Sequence, residues 1–287
     1  MTQILNLWWV YVIVYLIFIV VFTQFVRVST KKSKHDGALT VLLQLIAGVS
    51  ILIFIPFFEI KVPTDYKVWI LLLISVVFYA INDRLHITSR KNLDVSVDSV
   101  LRQSSNVFIF IAGILFFKES ASILKILGIL LIICSNVFVL YNKGKFKLNK
   151  YIWINIISTV SYSIAMCLDV GNSSNFNLPI YIAISLLVPA IMIIISERIN
   201  LKELKEEYKN GNKKAILIGG ISWSFSILVL LKAYSIADVT IITPLCALSV
   251  MLNIIASYVF LKEKSNITKN IIASIGIIVG VLLITVF

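Results

Sequence analysis

The sequence predicts an all-α polytopic membrane protein, with ten transmembrane helices arranged as a five-plus-five inverted repeat. Composition, segmentation and internal similarity lead there. Apolar residues, counting Ala, Val, Ile, Leu, Met, Phe, Trp, Tyr and Cys, fill 59% of 287 positions, and only 14% are charged. An average soluble domain carries about 25% charged residues. At a mean hydropathy of +0.98, a soluble core of this size cannot bury so much apolar surface, so lipid must be part of the solvent. The apolar residues also gather into ten runs, each near the ~20 residues that a spanning helix needs. Finally, the two halves of the chain resemble each other.

The ten runs are Leu5–Phe25, Ala38–Phe58, Val68–Ile87, Val97–Phe117, Ser122–Tyr141, Tyr151–Val170, Leu178–Ser196, Ala215–Ser235, Val239–Leu261 and Asn270–Val286. The first basic residue is Arg27, so no positive n-region precedes the first run, which reads as an uncleaved span. Pro63 and Asp65 suit a turn ahead of the third span. Pro189 falls inside the seventh span, where its missing amide donor should kink the helix. Pro244 lies in the first turns of the ninth, where it disrupts less. The longest polar stretch, Glu197–Lys214, has the composition of a solvated helix that Gly211 is placed to end. Trp8, Trp9, Trp69 and Trp153 fall near span ends, as an interfacial belt requires, and Trp223 lies deeper, where it can face a cavity. Cys134, Cys167 and Cys246 are scattered through apolar runs, so no disulfide, metal or cofactor framework is expected.

The repeat emerges on shifting the chain by 144 residues, which lays Leu93–Ser105 on Ala237–Ser249 and Phe116–Lys125 on Phe260–Lys269. Asp94 then meets Asp238, Leu101 meets Leu245, and Lys118 and Glu119 meet Lys262 and Glu263. Charged residues take part, so shared hydrophobicity does not explain the match. The units are residues 1–147 and 148–287. Each holds an odd number of spans, so the second enters the membrane from the opposite side. Inverted repeats of this kind underlie alternating access around a central site.

At its repeat ends the chain resembles the EamA-like family of the drug/metabolite transporter superfamily. The residues that carry the resemblance are LFFKES and VFLKEK, with Glu119 and Glu263 at the corners and Gly128, Gly276 and Gly280 in the helices beyond, together with Lys232–Glu263 as a whole. INDRLH (Ile81–His86) and VLRQSS (Val100–Ser105) are more polar than is usual in the family. The resemblance implies a multi-pass protein of the bacterial inner membrane. It also implies a secondary transporter of a small metabolite, with export the expected direction. The partners expected are that substrate and membrane lipids, with a homodimer left open. A membrane-embedded enzyme and a flippase for a lipid-linked substrate are the alternatives. The chain contains no GxxxxGK[ST], HExxH or GxSxG, and has only two histidines, which disfavours ATP-driven pumping and enzymatic chemistry.

Ionisable groups within a bilayer are costly and usually face a partner or a wet cavity. Asp83, Arg84 and His86 lie late in the third span. Asp98 and Arg102 share a face of the fourth at i,i+4 spacing, followed by Gln103. Asp169 ends the sixth span, and Lys232 lies late in the eighth. Arg84, Arg102 and Lys232 are candidates for a positive cavity that grips an anionic or zwitterionic substrate, since guanidinium forms two parallel bonds to carboxylate or phosphate. Asp83 and Asp98 are candidates for proton coupling, and Gln103 and Trp223 for substrate contact. The competing reading makes Asp98–Arg102 an intrahelical ion pair and has Asp83, Arg84 and Lys232 snorkel to the interface. Glu119 and Glu263 read as architectural groups at helix starts. Asn136, Asn155 and Asn253 read as interhelical hydrogen bonders, and His35 needs no special role.

The formal charge of +12 does not imply nucleic-acid binding, because the basic residues sit in short segments between spans. Nineteen Lys and Arg fall in the loops after the odd-numbered spans and four in the alternate loops. By the positive-inside rule both termini are therefore expected outside.

Overall fold

The computed structural model describes residues 7–117, 122–142, 145–146, 149–169, 172–237, 239–263 and 266–286. Lys118, Glu119 and Asp238, which the repeat invokes, lie outside the described residues. The first half forms α1 (Trp8–Lys32), α2 (Asp36–Ile51, continued by a 3-10 segment Leu52–Phe57), α3 (Tyr66–Asn92), α4 (Val95–Arg102), α5 (Ser104–Phe117) and α6 (Ile123–Leu140). The second half forms α7 (Lys150–Asp169), α8 (Leu178–Glu197), α9 (Leu201–Asn210), α10 (Lys213–Tyr234), α11 (Val239–Phe260) and α12 (Ile267–Val286). A two-residue antiparallel strand pair, β1 (Tyr141–Asn142) with β2 (Lys145–Phe146), joins the halves. Eight of these segments are long and apolar enough to cross a membrane, and Leu245–Phe260 within α11 is a shorter apolar stretch. The chain is an integral, multi-pass, all-helical membrane protein.

Short polar side chains set the helix ends by satisfying amides that lack an intrahelical partner. The carboxylate of Asp65 accepts from Lys67 N at 2.9 Å to start α3. Asn177 and Asn212 do the same for α8 and α10, at 3.2 and 3.1 Å. Asn200 and Glu203 form a reciprocal capping box on α9 with both bonds at 2.9 Å, and α9 ends at Gly211. His35 does have a role: its Nδ1 accepts from Ala38 N at 3.0 Å and caps α2.

The fourth span differs from expectation. Val97–Phe117 reads as one continuous run, yet the helix breaks at Gln103 into α4 and α5. There is no Gly or Pro at the break. Instead the Asn106 side chain donates to Gln103 O and Oε1 at 3.3 and 3.1 Å, and Asn106 N bonds Gln103 O at 3.1 Å. This local polar bonding competes with the helical ladder.

Packing is inside-out relative to a soluble protein. On α10 the buried face carries Gly219, Gly220, Ser222, Ser224 and Ser226, and on α7 it carries Ser158, Thr159, Ser161 and Ser163. Ile, Leu and Val side chains meanwhile stand exposed along the outer faces of α3, α6 and α12. Small residues let helices approach closely where lipid provides no hydrophobic drive. Gly128 on α6 and Gly280 on α12 are the tightest case, since a Cβ on either would lie 2.6–2.7 Å from the other's carbonyl oxygen. The principal helix pairs are α1 with α10, α3 with α7, α6 with α12, α2 with α8, α11 with α12 and α2 with α10, and α4 also packs on α11.

Candidate functional site

Ionisable and amide side chains are concentrated where the C-terminal half of α3 meets α1, α4 and α7. The deepest charge is Asp98 on α4, 1% exposed. It accepts from Arg90 Nε at 3.2 Å and from Ser89 Oγ at 3.0 Å, both on α3, and from Asn155 Nδ2 on α7 at 2.7 Å. His86 Nε2 stands 3.2 Å from the same carboxylate and 2.9 Å from Arg90 Nε. The Arg90 guanidinium lies over the Phe22 ring, 4.9 Å from its centroid, and Phe22 in turn stacks on Trp223 at 5.2 Å. The carboxylate is fully engaged, and its cationic partner is Arg90 rather than Arg102. The intrahelical Asp98–Arg102 pair suggested by spacing does not form.

One turn further into the membrane the arrangement changes. Asp83, 6% exposed, accepts from Gln44 Nε2 on α2 at 2.8 Å and from Asn82 Nδ2 at 2.7 Å. Among the described residues no cation lies within 4.0 Å of it. Arg102, at the C-terminal end of α4, donates to Asn82 Oδ1 and to Ser158 Oγ on α7, both at 3.3 Å. Its guanidinium lies over Tyr162, 5.2 Å from the ring centroid. Among the described residues no carboxylate lies within 4.0 Å of it either. Asp83 and Arg102 therefore flank one amide, Asn82, without an ion pair between them. Arg102 and Gln103 are only partly covered, unlike Asp83 and Asn82.

Tyr162 on α7 lies under the Arg102 guanidinium, and Tyr15 on α1 and Tyr234 on α10 pack in one cluster with Cys246 on α11. These side chains come from both halves. Further along the α3–α7 contact, Tyr79 donates to Asp169 Oδ2 at 2.8 Å.

The other candidates lie elsewhere. Arg84 is ion-paired with Glu197 on α8 and donates to Thr88 Oγ1 at 2.6 Å, on a different side of α3 from Arg102. Lys232 lies in the last turn of α10, away from the Arg90 end of the bundle. The three cations expected to share a positive cavity are therefore not brought together. Trp223 packs into the apolar clusters between α1, α2, α8 and α10. Asn136, Asn155 and Asn253 all bond across helices, to Ser104 at 3.0 Å, to Asp98 at 2.7 Å and from Gln24 at 3.3 Å respectively.

Arg27, Arg90, Gln44 and Ser158 were not singled out in the sequence. Arg27 and Arg90 fall just past the hydropathy boundary of their spans and so read as loop charges, while α1 and α3 continue as helix to Lys32 and Asn92. Arg27 donates from Nε to Glu263 Oε1 at 2.9 Å and from its Nη1 to the carbonyls of Arg90 and Lys91 at the end of α3. Glu263 Oε2 accepts Val95 N at 2.8 Å and so caps α4. Its role is architectural as expected, but it serves α4 rather than the start of α12.

Residues 6–141 match the family model described as the EamA-like transporter family. One solved structure, titled only "Crystal structure of protein", superposes with a TM-score of 0.54 at 14% identity, covering 96% of this chain and 98% of that one. At that identity the likeness establishes the fold alone. No curated protein matches the chain.

Proposed function

We propose that this EamA-like membrane transporter, of the drug/metabolite transporter type, is a secondary carrier that exports a small anionic or zwitterionic metabolite by alternating access. The observation that carries the reading is Arg102: a guanidinium at a helix break, set in the α3–α7 contact between the halves and held by Asn82, Ser158 and Tyr162, with no carboxylate within 4.0 Å among the described residues. Holding even a partly covered charge within the span without an ion pair is unfavourable. Such a group is maintained where a ligand supplies the missing charge, and a substrate carboxylate or phosphate accepts two parallel bonds from it. Asp83, held by neutral amides, is the matching acceptor for a proton or for the cationic end of a zwitterion.

The helix packing supports alternating access. Exchanging the halves maps α1 onto α7 and α3 onto α10, so the α1–α10 contact becomes the α7–α3 contact. The α2–α8, α4–α11 and α6–α12 contacts map onto themselves. This exchange supports a two-fold inverted repeat, whose halves can trade conformations. At the end of the bundle that holds Lys31, Lys91 and Lys213, the Arg27–Glu263 pair joins α1 to the end of α11, and in this reading it is the contact that opens when the carrier alternates. Broken helices such as α4–α5 are a recurring feature of carriers. The charge distribution supports a cytoplasmic basic end with both termini outside, and the family resemblance favours the bacterial inner membrane.

Untargeted metabolite profiling of deletion and overexpressing cells, inside and outside, tests the proposal. A compound that accumulates inside the deletion strain and outside the overexpressing strain identifies the cargo. Unchanged profiles despite verified membrane insertion would refute export.

A further inference from the structure

α9 is a ten-residue helix that lies outside the spans. It is docked by one face: Leu204 packs with Ala38, Val41 and Ile199, and the buried Glu207 accepts Lys34 N and His35 N at 3.1 and 3.2 Å. That docking fixes which way the rest of the helix points. Lys205, Lys209, Lys213 and Lys214 are exposed, and Lys31 and Lys32 are exposed in the turn whose next residues bond Glu207. Among the described residues none of these six has a carboxylate within 4.0 Å. The nearby acids are already committed: Glu207 to the α1–α2 turn, Glu203 to the capping box, Glu206 to Lys202 and Glu197 to Arg84.

Beside this basic face stand apolar side chains with no protein partner to cover them. Leu201 at the start of α9 is 74% exposed, and Ile195 in the last turn of α8 is 70% exposed. Tyr208, also on α9, is partly exposed beneath the Lys213 ammonium. An unpaired lysine cluster alone suits any polyanion. Lysines adjoining Ile195 and Leu201, at the level where a spanning helix leaves the bilayer, suit a surface with anionic headgroups above acyl chains. We infer that α9 and the α1–α2 turn form a docking surface for anionic phospholipid headgroups, with Lys205, Lys209 and Lys213 engaging the phosphates while Leu201 and Ile195 enter the acyl boundary. This inference is independent of the transported substrate.

The test is native mass spectrometry of the purified protein released from detergent containing equal amounts of phosphatidylglycerol and phosphatidylcholine. The wild type retains phosphatidylglycerol preferentially. A K205Q/K209Q/K213Q variant loses that preference by about five-fold or more, since each lysine near an anionic surface contributes about that factor. A K61Q/K67Q variant at the opposite end, and K205R/K209R/K213R, retain it. Raising ionic strength with the wild type releases phosphatidylglycerol first, a check that does not depend on any variant folding. Absence of preference in the wild type, persistence of preference in K205Q/K209Q/K213Q, or equal loss in K61Q/K67Q each overturns the assignment.

Discussion

Replacing Asp98 by alanine removes the carboxylate on which Arg90, Ser89 and Asn155 converge at 3.2, 3.0 and 2.7 Å. The cavity is small. The larger effect falls on Arg90, which is 6% exposed. Without Asp98 its guanidinium keeps only His86 Nε2, a 3.4 Å contact to Thr23 Oγ1 and the face of Phe22. Breaking one side of a buried ion pair costs about 3–5 kcal/mol. Polar contacts inside membrane proteins have measured smaller, about 0.6 kcal/mol each on average, so we take about 3 kcal/mol. That corresponds to a fall of roughly 6–12 °C in Tm for a domain of this size. Thermal unfolding of the detergent-solubilised protein reads it directly. Asp98→Asn keeps one acceptor oxygen for Ser89 and Asn155 and should lose less. Asp98→Leu combined with Arg90→Leu should recover most of the loss, because neither charge is then stranded. A shift below about 1 °C for Asp98→Ala, or a double variant that loses the sum of the two single losses, would refute the role given to this pair.

Further outcomes follow from the same contacts. Arg27→Gln opens the pair with Glu263, whose side chains are 9% and 5% exposed. It should cost about 3 kcal/mol and raise the labelling rate of a cysteine placed at Val95; unchanged labelling would mean the pair does not close that end. Gly128→Leu forces α6 off α12, where a Cβ already lies 2.6 Å from Gly280 O, and should lower stability by about 1–3 kcal/mol or more, measured by thermal unfolding. A cysteine at Lys209 should react with an impermeant maleimide only after permeabilisation, and reaction in intact cells would invert the assigned orientation.

Asn200 three residues ahead of Glu203 carries the capping-box spacing but was not read as a cap. The spans were legible because they depend on apolar length, and the end of α9 because Gly211 marks it. The break at Gln103 was not, since Ser104, Ser105 and Asn106 are tolerated in a spanning helix and hydropathy averages over them. The site was half legible. Burial of an ionisable group marked Asp83, Asp98 and Arg102 as costly, but their pairing is decided in three dimensions. The i,i+4 rule proposed Arg102 for Asp98, whereas Arg90 approaches from another helix with better geometry. Arg84 illustrates the reverse, since its partner Glu197 stands 113 residues away and was read as part of a solvated connector. Arg27 and Arg90 were misplaced by hydropathy alone, because long basic side chains allow a helix to run on past its apolar stretch.

The central claim rests on Arg102 as the charge that meets the substrate. It is tested most directly by counterflow in proteoliposomes with the compound that profiling identifies, comparing wild type, Arg102→Gln, Arg102→Lys and Arg84→Gln. The account predicts that Arg102→Gln abolishes counterflow and that Arg102→Lys retains a fraction, lacking the two-pronged grip. Arg84→Gln, in a half-covered pair worth about 0–1 kcal/mol, should transport normally. Full counterflow by Arg102→Gln, with protein inserted and folded as in the wild type, would contradict it.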